Sequence, residues 1–180
     1  MRIIAGRWRG RTLQAPAGDA TRPTADRVRE ALFSMLASRL GSFEDLRVID
    51  LFAGTGALGL EALSRGAAHA TFVENDRSAL AALKVNIATL SASANVLAMP
   101  AAGLGRAQEP AHLALLDPPY GKGLAGPALE RLRDGGWLAP HALVSVETGR
   151  DEVLPFPAGF ILDTTRDHGK ARLHLLRFEG

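Results

Sequence analysis

The sequence predicts an α/β protein: a single doubly wound sheet, mostly parallel, closed by a C-terminal antiparallel hairpin and preceded by a small N-terminal β-arm and helix. Three observations carry that prediction. From Leu46 onward, short apolar runs of strand length alternate with segments of helical spacing, the pattern of repeated βαβ units. A glycine-rich loop from Gly54 to Gly59 follows the first run and opens a helical segment. Two extended segments, Phe160–Thr165 and Ala171–Phe178, flank a polar turn at Asp167-His168-Gly169 and read as a hairpin.

The elements follow in order. Residues 1–20 read as two short strands around a Gly6/Gly10 turn region, then a loop at Ala15–Asp19. Thr24 stands where a helix N-cap belongs, and Asp26 falls in the first turn, where a negative charge favours the helix dipole. Val28, Leu32, Met35, Leu36 and Leu40 repeat at helical spacing, and Gly41 stops that helix. Val48–Leu51 reads as a buried strand. A helix runs through Leu58, Ala62 and Leu63 to Gly66, and Ala70–Val73 forms the second strand. Leu80, Leu83, Ile87 and Leu90 mark the next helix, and Val96-Leu97-Ala98 a short third strand. A fourth strand, His112–Leu116, leads into Asp117; a helix near Ala128–Arg133 and a fifth strand at Ala142–Val146 complete the series.

Composition narrows the function classes. The chain has 180 residues, enough for one full core. No apolar run approaches membrane-spanning length, and the N-terminus lacks a signal-peptide body, so a cytoplasmic protein without membrane attachment is expected. There are no cysteines, which excludes disulfides, thiolate metal sites and thiolate nucleophiles. The net charge of +2 is unevenly placed. Residues 1–40 hold eight arginines against Asp19, Asp26 and Glu30, a net of +5, and the remainder carries a net of −3. Residues 1–22 therefore read as a basic arm for an anionic partner, ahead of a domain over 23–180.

Two motifs carry the chemistry. Asp117-Pro118-Pro119-Tyr120 ends the fourth strand. The prolines hold the backbone extended and leave a carboxylate, the Pro118 carbonyl and an aromatic ring at the C-terminal edge of the sheet, where ligands bind in open α/β folds. An acceptor pair beside a stacking ring suits a planar, amino-substituted base. The second motif, Gly54-Thr55-Gly56-Ala57-Leu58-Gly59, fits GxGxxG, with Glu74 about twenty residues on. Asp50-Leu51-Phe52-Ala53 stands between the strand and the first glycine. A carboxylate there is unfavourable beside a pyrophosphate. It suits S-adenosylmethionine, whose ammonium Asp50 could accept from directly or through water, with Glu74 accepting from both ribose hydroxyls. A second match, Gly121-Lys122-Gly123-Leu124-Ala125-Gly126, reads as a flexible loop. No residue grouping calls for a metal.

With both motifs in place, the chain resembles the bacterial 16S ribosomal RNA guanine-N2 methyltransferase family (RsmD), within the Rossmann-like S-adenosylmethionine-dependent methyltransferases. The likeness covers nearly the whole chain. It rests on Arg2-Ile3-Ile4-Ala5-Gly6, Arg9-Gly10-Arg11, Arg22–Glu30, Asp50–Gly56, Asp117–Tyr120 and Gly169-Lys170. DNA adenine methyltransferases share the Asp117–Tyr120 type of motif but usually carry a larger target-recognition region. The resemblance implies a cofactor set of Arg22, Thr24, Asp50, Phe52, Ala53, Gly54, Thr55, Gly56, Glu74, Asn75, Ala101 and Asp117. Relatives often place a polar or acidic residue after the third strand to meet the adenine amine. Here Met99-Pro100-Ala101-Ala102 occupies that stretch, so backbone groups and apolar contact are expected to hold the adenine.

The implied reaction is transfer of a methyl group from S-adenosylmethionine to the exocyclic N2 amine of a guanine in 16S ribosomal RNA, free or in a partly assembled small subunit. Asp117 and the Pro118 carbonyl would accept from the amine, Tyr120 would stack on the base, and Asp117 would take the departing proton. The base must be unpaired or flipped to reach them. Arg7, Arg9, Arg11, Arg22 and Arg27 are candidate phosphate contacts, with Trp8 as a stacking or packing face. Arg166, Lys170 and Arg172 form a candidate second rim. His69, His112 and His174 alternate with strand positions and read as structural. A monomer is expected. Two alternatives stay open: an adenine-N6 methyltransferase acting on DNA or RNA, and a ribosome-assembly factor whose binding outweighs its chemistry.

Overall fold

A computed structural model describes residues 1–16 and 23–180, and no side chain of Pro23 or Thr24. Seven strands among these residues form one sheet in the order β3-β2-β1-β4-β5-β7-β6. They are β1 (Arg47–Leu51), β2 (His69–Glu74), β3 (Ala94–Ala98), β4 (Ala111–Leu116), β5 (Leu138–Gly149), β6 (Phe160–His168) and β7 (Ala171–Phe178). The first five run parallel, and β7 pairs antiparallel with both β5 and β6. The order reverses between β1 and β4, the switch point at which a crevice opens beyond the strand ends.

Alternation along the central strands builds two cores. In β1, Val48 faces one way and Ile49 and Leu51 the other; in β4, Leu113 and Leu115 oppose Ala114 and Leu116. Helices α1 (Pro23–Leu40), α2 (Ala57–Ser64) and α3 (Arg77–Leu90) cover the first face with Phe33, Leu36, Leu60, Leu63 and Leu83. Helix α4 (Ala125–Asp134) covers part of the second with Leu129 and Leu132. Each such side chain, fully buried, contributes roughly 1.5–3 kcal/mol. The third glycine of the loop motif explains the close seating of α2. A Cβ at Gly59 would stand 2.4 Å from the Phe72 ring.

Several expectations need adjustment. The two N-terminal strands reduce to a single antiparallel bridge between Arg2 and Thr12. The arm is held instead from outside itself. Buried Glu61 accepts from the amides of Ile4 and Ala5 at 2.8 and 3.0 Å, and Ser64 Oγ accepts from Trp8 N–H at 3.0 Å. Gly6, at φ +85°, lies so close to α2 that an added Cβ would overlap the Ser64 carbonyl. The short α2 thus spends its polar groups anchoring the arm, and no ladder is needed. Helix α1 begins at Pro23, so Thr24 lies inside its first turn and not at the cap; Asp26 does fall in that turn. The loop at 17–19 and Arg22 lie outside the described residues. Strand β5 runs on to Gly149, paired along its extra length with β7. The hairpin turn is Gly169-Lys170, because Asp167 and His168 still pair with Arg172 and Ala171. The second glycine match is a turn at Gly121–Gly123 running directly into α4.

His69, His112 and His174, expected to be structural, each make a side-chain hydrogen bond within the fold. His112 Nδ1 accepts from Arg47 N–H, His69 Nδ1 pairs with Ser93 Oγ, and His174 Nε2 pairs with Thr148 Oγ1.

Candidate active site

The C-terminal ends of β1, β2, β4 and β5 surround a groove of about 710 Å³, within the range of small-molecule sites. It gathers Phe52, Glu74, Asn75, Ala101, Asp117, Pro118 and Tyr120 from the expected set, together with Asp76, Pro100, Ala102 and Glu147. A second cavity of about 630 Å³ lies beside it, between α1, the start of α2 and the hairpin turn. Asp117, Tyr120 and Glu147 line both. A group held in one can therefore meet a group held in the other at these three side chains.

Glu74 organises the cofactor side. Its Oε2 accepts from Gly54 N–H at 2.7 Å, and its Oε1 accepts from the amides of Asn75 and Asp76, each at 2.8 Å. The carboxylate that ends β2 thereby fixes the loop that leaves β1. With three amides already bound, it keeps one lone pair, on Oε2, for a ligand hydroxyl. Accepting from both ribose hydroxyls would require one of these amides to let go. Gly54 has φ +56°, and a Cβ built there meets no atom within 4 Å, so the loop leaves a hollow where a ligand backbone can approach. The 3-10 turn Ala101–Gly103 presents Ala101 and Ala102 to the groove with Pro100, an apolar wall of the kind expected for an adenine.

Asp50 does not reach this groove. It is 1% exposed, its Oδ2 accepts from Gly59 N–H at 2.8 Å, and Oδ1 has no partner among the described residues. Parity explains this placement: Asp50 shares the face of Val48 in β1 and so points beneath α2. Burial, then the charges of Asp117 and Glu74, push its pKa well above the ordinary range despite the Gly59 bond. Asp50 caps the first turn of α2 from below. Ala53 and Gly56 are likewise buried behind the loop, and Thr55 is half-buried in it. The Thr55 carbonyl accepts from Asn86 Nδ2 at 3.0 Å. Only the backbone of Thr24 is described.

Asp117 opens onto the groove, yet its carboxyl is crowded. Burial by the groove walls and the nearby charge of Glu147 push its pKa up to about 7. Burial also raises Glu147, offset by the Tyr120 hydroxyl and by His168. The Tyr120 hydroxyl donates to Glu147 Oε1, and burial together with that bond keeps the phenol from ionising. The Tyr120 ring lies against Gly149, whose Cβ position is 3.6 Å from Cδ2. Glu152 Oε2 accepts from Gly121 N–H at 3.0 Å and Gly149 N–H at 3.2 Å, tying the loop after Tyr120 to the end of β5. The aromatic ring is thus held at both its edges. Sequence reasoning missed Glu147 because the fifth strand was expected to end one residue earlier, at Val146.

The basic residues divide. Arg7, Arg9 and Arg11 are exposed on the arm, with the Arg7 guanidinium 4.2 Å from the Trp8 ring centroid. Arg27 is exposed on α1, and exposed Lys170 lines the second cavity. Arg172 is paired with Asp167 through two hydrogen bonds.

Comparison with known proteins adds the following. Residues 1–177 match the family described as Conserved hypothetical protein 95. The ribosomal RNA small subunit methyltransferase D of Escherichia coli is 43% identical over 99% of this chain and 90% of its own length. The Haemophilus influenzae protein of the same name is 42% identical over 90% and 86%. Among solved structures, yhhF from Escherichia coli superposes with a TM-score of 0.88 at 43% identity, covering 99% of this chain and 98% of that one.

Proposed function

Because the chain belongs to the Conserved hypothetical protein 95 family, that of ribosomal RNA small subunit methyltransferase D, we propose that it methylates the exocyclic N2 amine of a guanine in 16S ribosomal RNA. The observation that carries this reading is the meeting of two cavities on Asp117, Tyr120 and Glu147. One cavity is fitted for S-adenosylmethionine by the Glu74 carboxylate, the hollow at Gly54 and the apolar wall at Ala101. The other takes a base.

Bound there, S-adenosylmethionine supplies an electrophilic methyl group. The chain supplies position and proton acceptance. An exocyclic amine is a weak nucleophile while its lone pair is delocalised into the ring. The Asp117 carboxylate and the Pro118 carbonyl, held apart by a rigid diproline, accept its N–H groups and draw it out of the ring plane. Such alignment supplies much of the rate in a transfer between two held groups. Asp117, with its pKa pushed up to about 7, is matched to receive the proton released near neutral pH. Tyr120, fixed by Glu147 and Gly149, orients the base.

In this reading residues 1–22 serve as an RNA-binding arm through Arg7, Arg9, Arg11 and Arg22. Residues 23–180 form the catalytic domain, with Arg27 and Lys170 at its RNA-facing rim. The protein acts in the cytoplasm as a monomer on ribosomal RNA, free or in a partly assembled subunit. No helix among the described residues is long and apolar enough to cross a membrane. The test is transfer of labelled methyl to unmodified ribosomal RNA, followed by digestion to nucleosides. N2-methylguanosine is expected; label in N6-methyladenosine, or no transfer at all, rejects the reading.

A further inference from the structure

The second cavity has a composition that the cofactor does not explain. Its walls carry Met1, Val28, Leu32 and Leu58 on one side, with the Asp26–Arg29 ion pair among them, and Ala171 on the other. Its polar floor is the Asp117–Tyr120–Glu147 group shared with the cofactor groove. Lys170 and His168 stand on the hairpin at its mouth. A largely apolar cavity with Lys170 and His168 on one side and an acidic floor suits a nucleobase entering with its phosphates outside. The floor then selects which base.

Glu147 has two carboxylate oxygens, and only one is engaged. Oε1 takes the Tyr120 hydroxyl proton, whereas Oε2 accepts no hydrogen bond from the described residues. Asp117 has no side-chain hydrogen bond among them either. The floor therefore presents two acceptors side by side. The tyrosine consumes one Glu147 oxygen and so holds the other in a fixed place. Guanine carries adjacent donors on one edge, N1–H and the N2 amine. Adenine and cytosine place an acceptor, N1 or N3, beside their amine. An acceptor facing an acceptor is repulsive, and a carboxylate stripped of water by the base and left without a donor is costly.

We propose that Glu147 reads the target as guanine by accepting N1–H on Oε2 while Asp117 accepts from N2–H, with Tyr120 holding the Glu147 carboxylate in register. The inference rests on the guanine-N2 reading and deepens it. It assigns the base preference to a residue outside the Asp117–Tyr120 motif, which by itself serves amines on either purine.

The experiment uses the full chain and an RNA carrying the mapped target nucleotide either as guanosine or as 2-aminopurine, which keeps the N2 amine but has no N1–H. The parent protein is expected to show kcat/KM at least about tenfold lower on 2-aminopurine, the loss of one hydrogen bond to a charged group. In Glu147→Gln the amide N–H can donate to the bare N1. The guanine rate should fall about tenfold or more, and the ratio between the two substrates should close to within about threefold. Glu147→Asp, which keeps the charge, should keep the preference for guanine. Equal rates of the parent on both substrates overturn the proposal, and that comparison needs no variant to fold. An unchanged ratio in Glu147→Gln overturns it as well. If ribosomal RNA yields N2-methylguanosine and these ratios fail, Glu147 alone is misassigned. If it yields N6-methyladenosine, the guanine reading falls with it.

Discussion

Asn86 and Gln14 exchange two hydrogen bonds across the protein: Gln14 N–H donates to Asn86 Oδ1 at 2.7 Å, and Asn86 Nδ2 donates to the Gln14 carbonyl at 3.0 Å. The same Nδ2 donates to the Thr55 carbonyl at 3.0 Å. One buried amide on α3 therefore ties the N-terminal arm to the glycine loop. Asn86→Leu leaves three backbone groups without their partner, each costing about 1–3 kcal/mol where water cannot replace it. The urea midpoint should fall, and affinity for S-adenosylmethionine should weaken with it because the loop loses a fixed point. An unchanged midpoint and affinity would show that water replaces the amide fully.

Glu74→Ala removes the acceptor of three amides and the lone pair facing the groove. Calorimetric titration with S-adenosylmethionine should show affinity weaker by roughly 1.5–3 kcal/mol, the range for hydrogen bonds to a charged group. Binding equal to the parent's would rule out Glu74 as a ligand contact.

Asp117 gives a pH dependence with two opposite signs. It accepts from the amine only when ionised, so kcat/KM should rise with pH and level off above about 7. The transition belongs to the Asp117–Glu147 pair, since each carboxyl feels the other. Stability runs the other way. Between the ordinary value of 3.8 and about 7, the folded protein keeps a proton that the unfolded chain has released, so stability falls as pH rises through that window. Asp117→Asn should lose methyl transfer while leaving cofactor affinity within a few-fold. It should also be more stable than the parent at pH 8, with the difference closing toward pH 4. Denaturation at the two pH values checks the sign, and a variant less stable at pH 8 would contradict it.

The arm supplies a salt-dependence test. Arg7, Arg9 and Arg11 are exposed, and each phosphate contact contributes about −0.7 to −0.9 to the log–log slope of affinity against salt. Replacing all three with Ala should flatten the slope for RNA by about two units if each meets a phosphate. Cofactor titration should be unaffected. A triple variant with the parent's slope and affinity would leave RNA recognition to the α1 face and the hairpin.

Most of the sheet was legible in the sequence because its strands are continuous apolar runs and most of its helices end at glycines, α3 at Ser91 being the exception. Gly41 at φ +70° after α1 is one such stop. Motif spacing located the groove, placing Glu74, Ala101 and Asp117 at neighbouring strand ends. Roles decided by side-chain direction were harder to read. Asp50 looks like a ligand contact until strand parity turns it beneath α2. Glu61, a carboxylate inside an apolar helix, gives no sequence signal of the arm it clamps, because its partners are backbone amides 56 and 57 residues away. Glu147 was hidden for a different reason. The length of β5 is set by pairing with β7, a contact between distant segments that local propensity does not encode.

The cavity walled by Met1 and by Ala171 makes the two halves of the site unequally dependent on the C-terminal hairpin. Residues of the cofactor groove all fall between Phe52 and Glu147, and of these Glu147 pairs with Leu173 of β7. The neighbouring cavity joins segments from opposite ends of the numbering and takes His168, Gly169, Lys170 and Ala171 from the hairpin itself. Damage to the hairpin therefore removes one wall of that cavity and the support of Glu147, while Phe52, Glu74 and Ala101 keep their places on the far side of the groove. Such a defect is expected to strike the receipt of a nucleotide before it strikes the binding of a methyl donor.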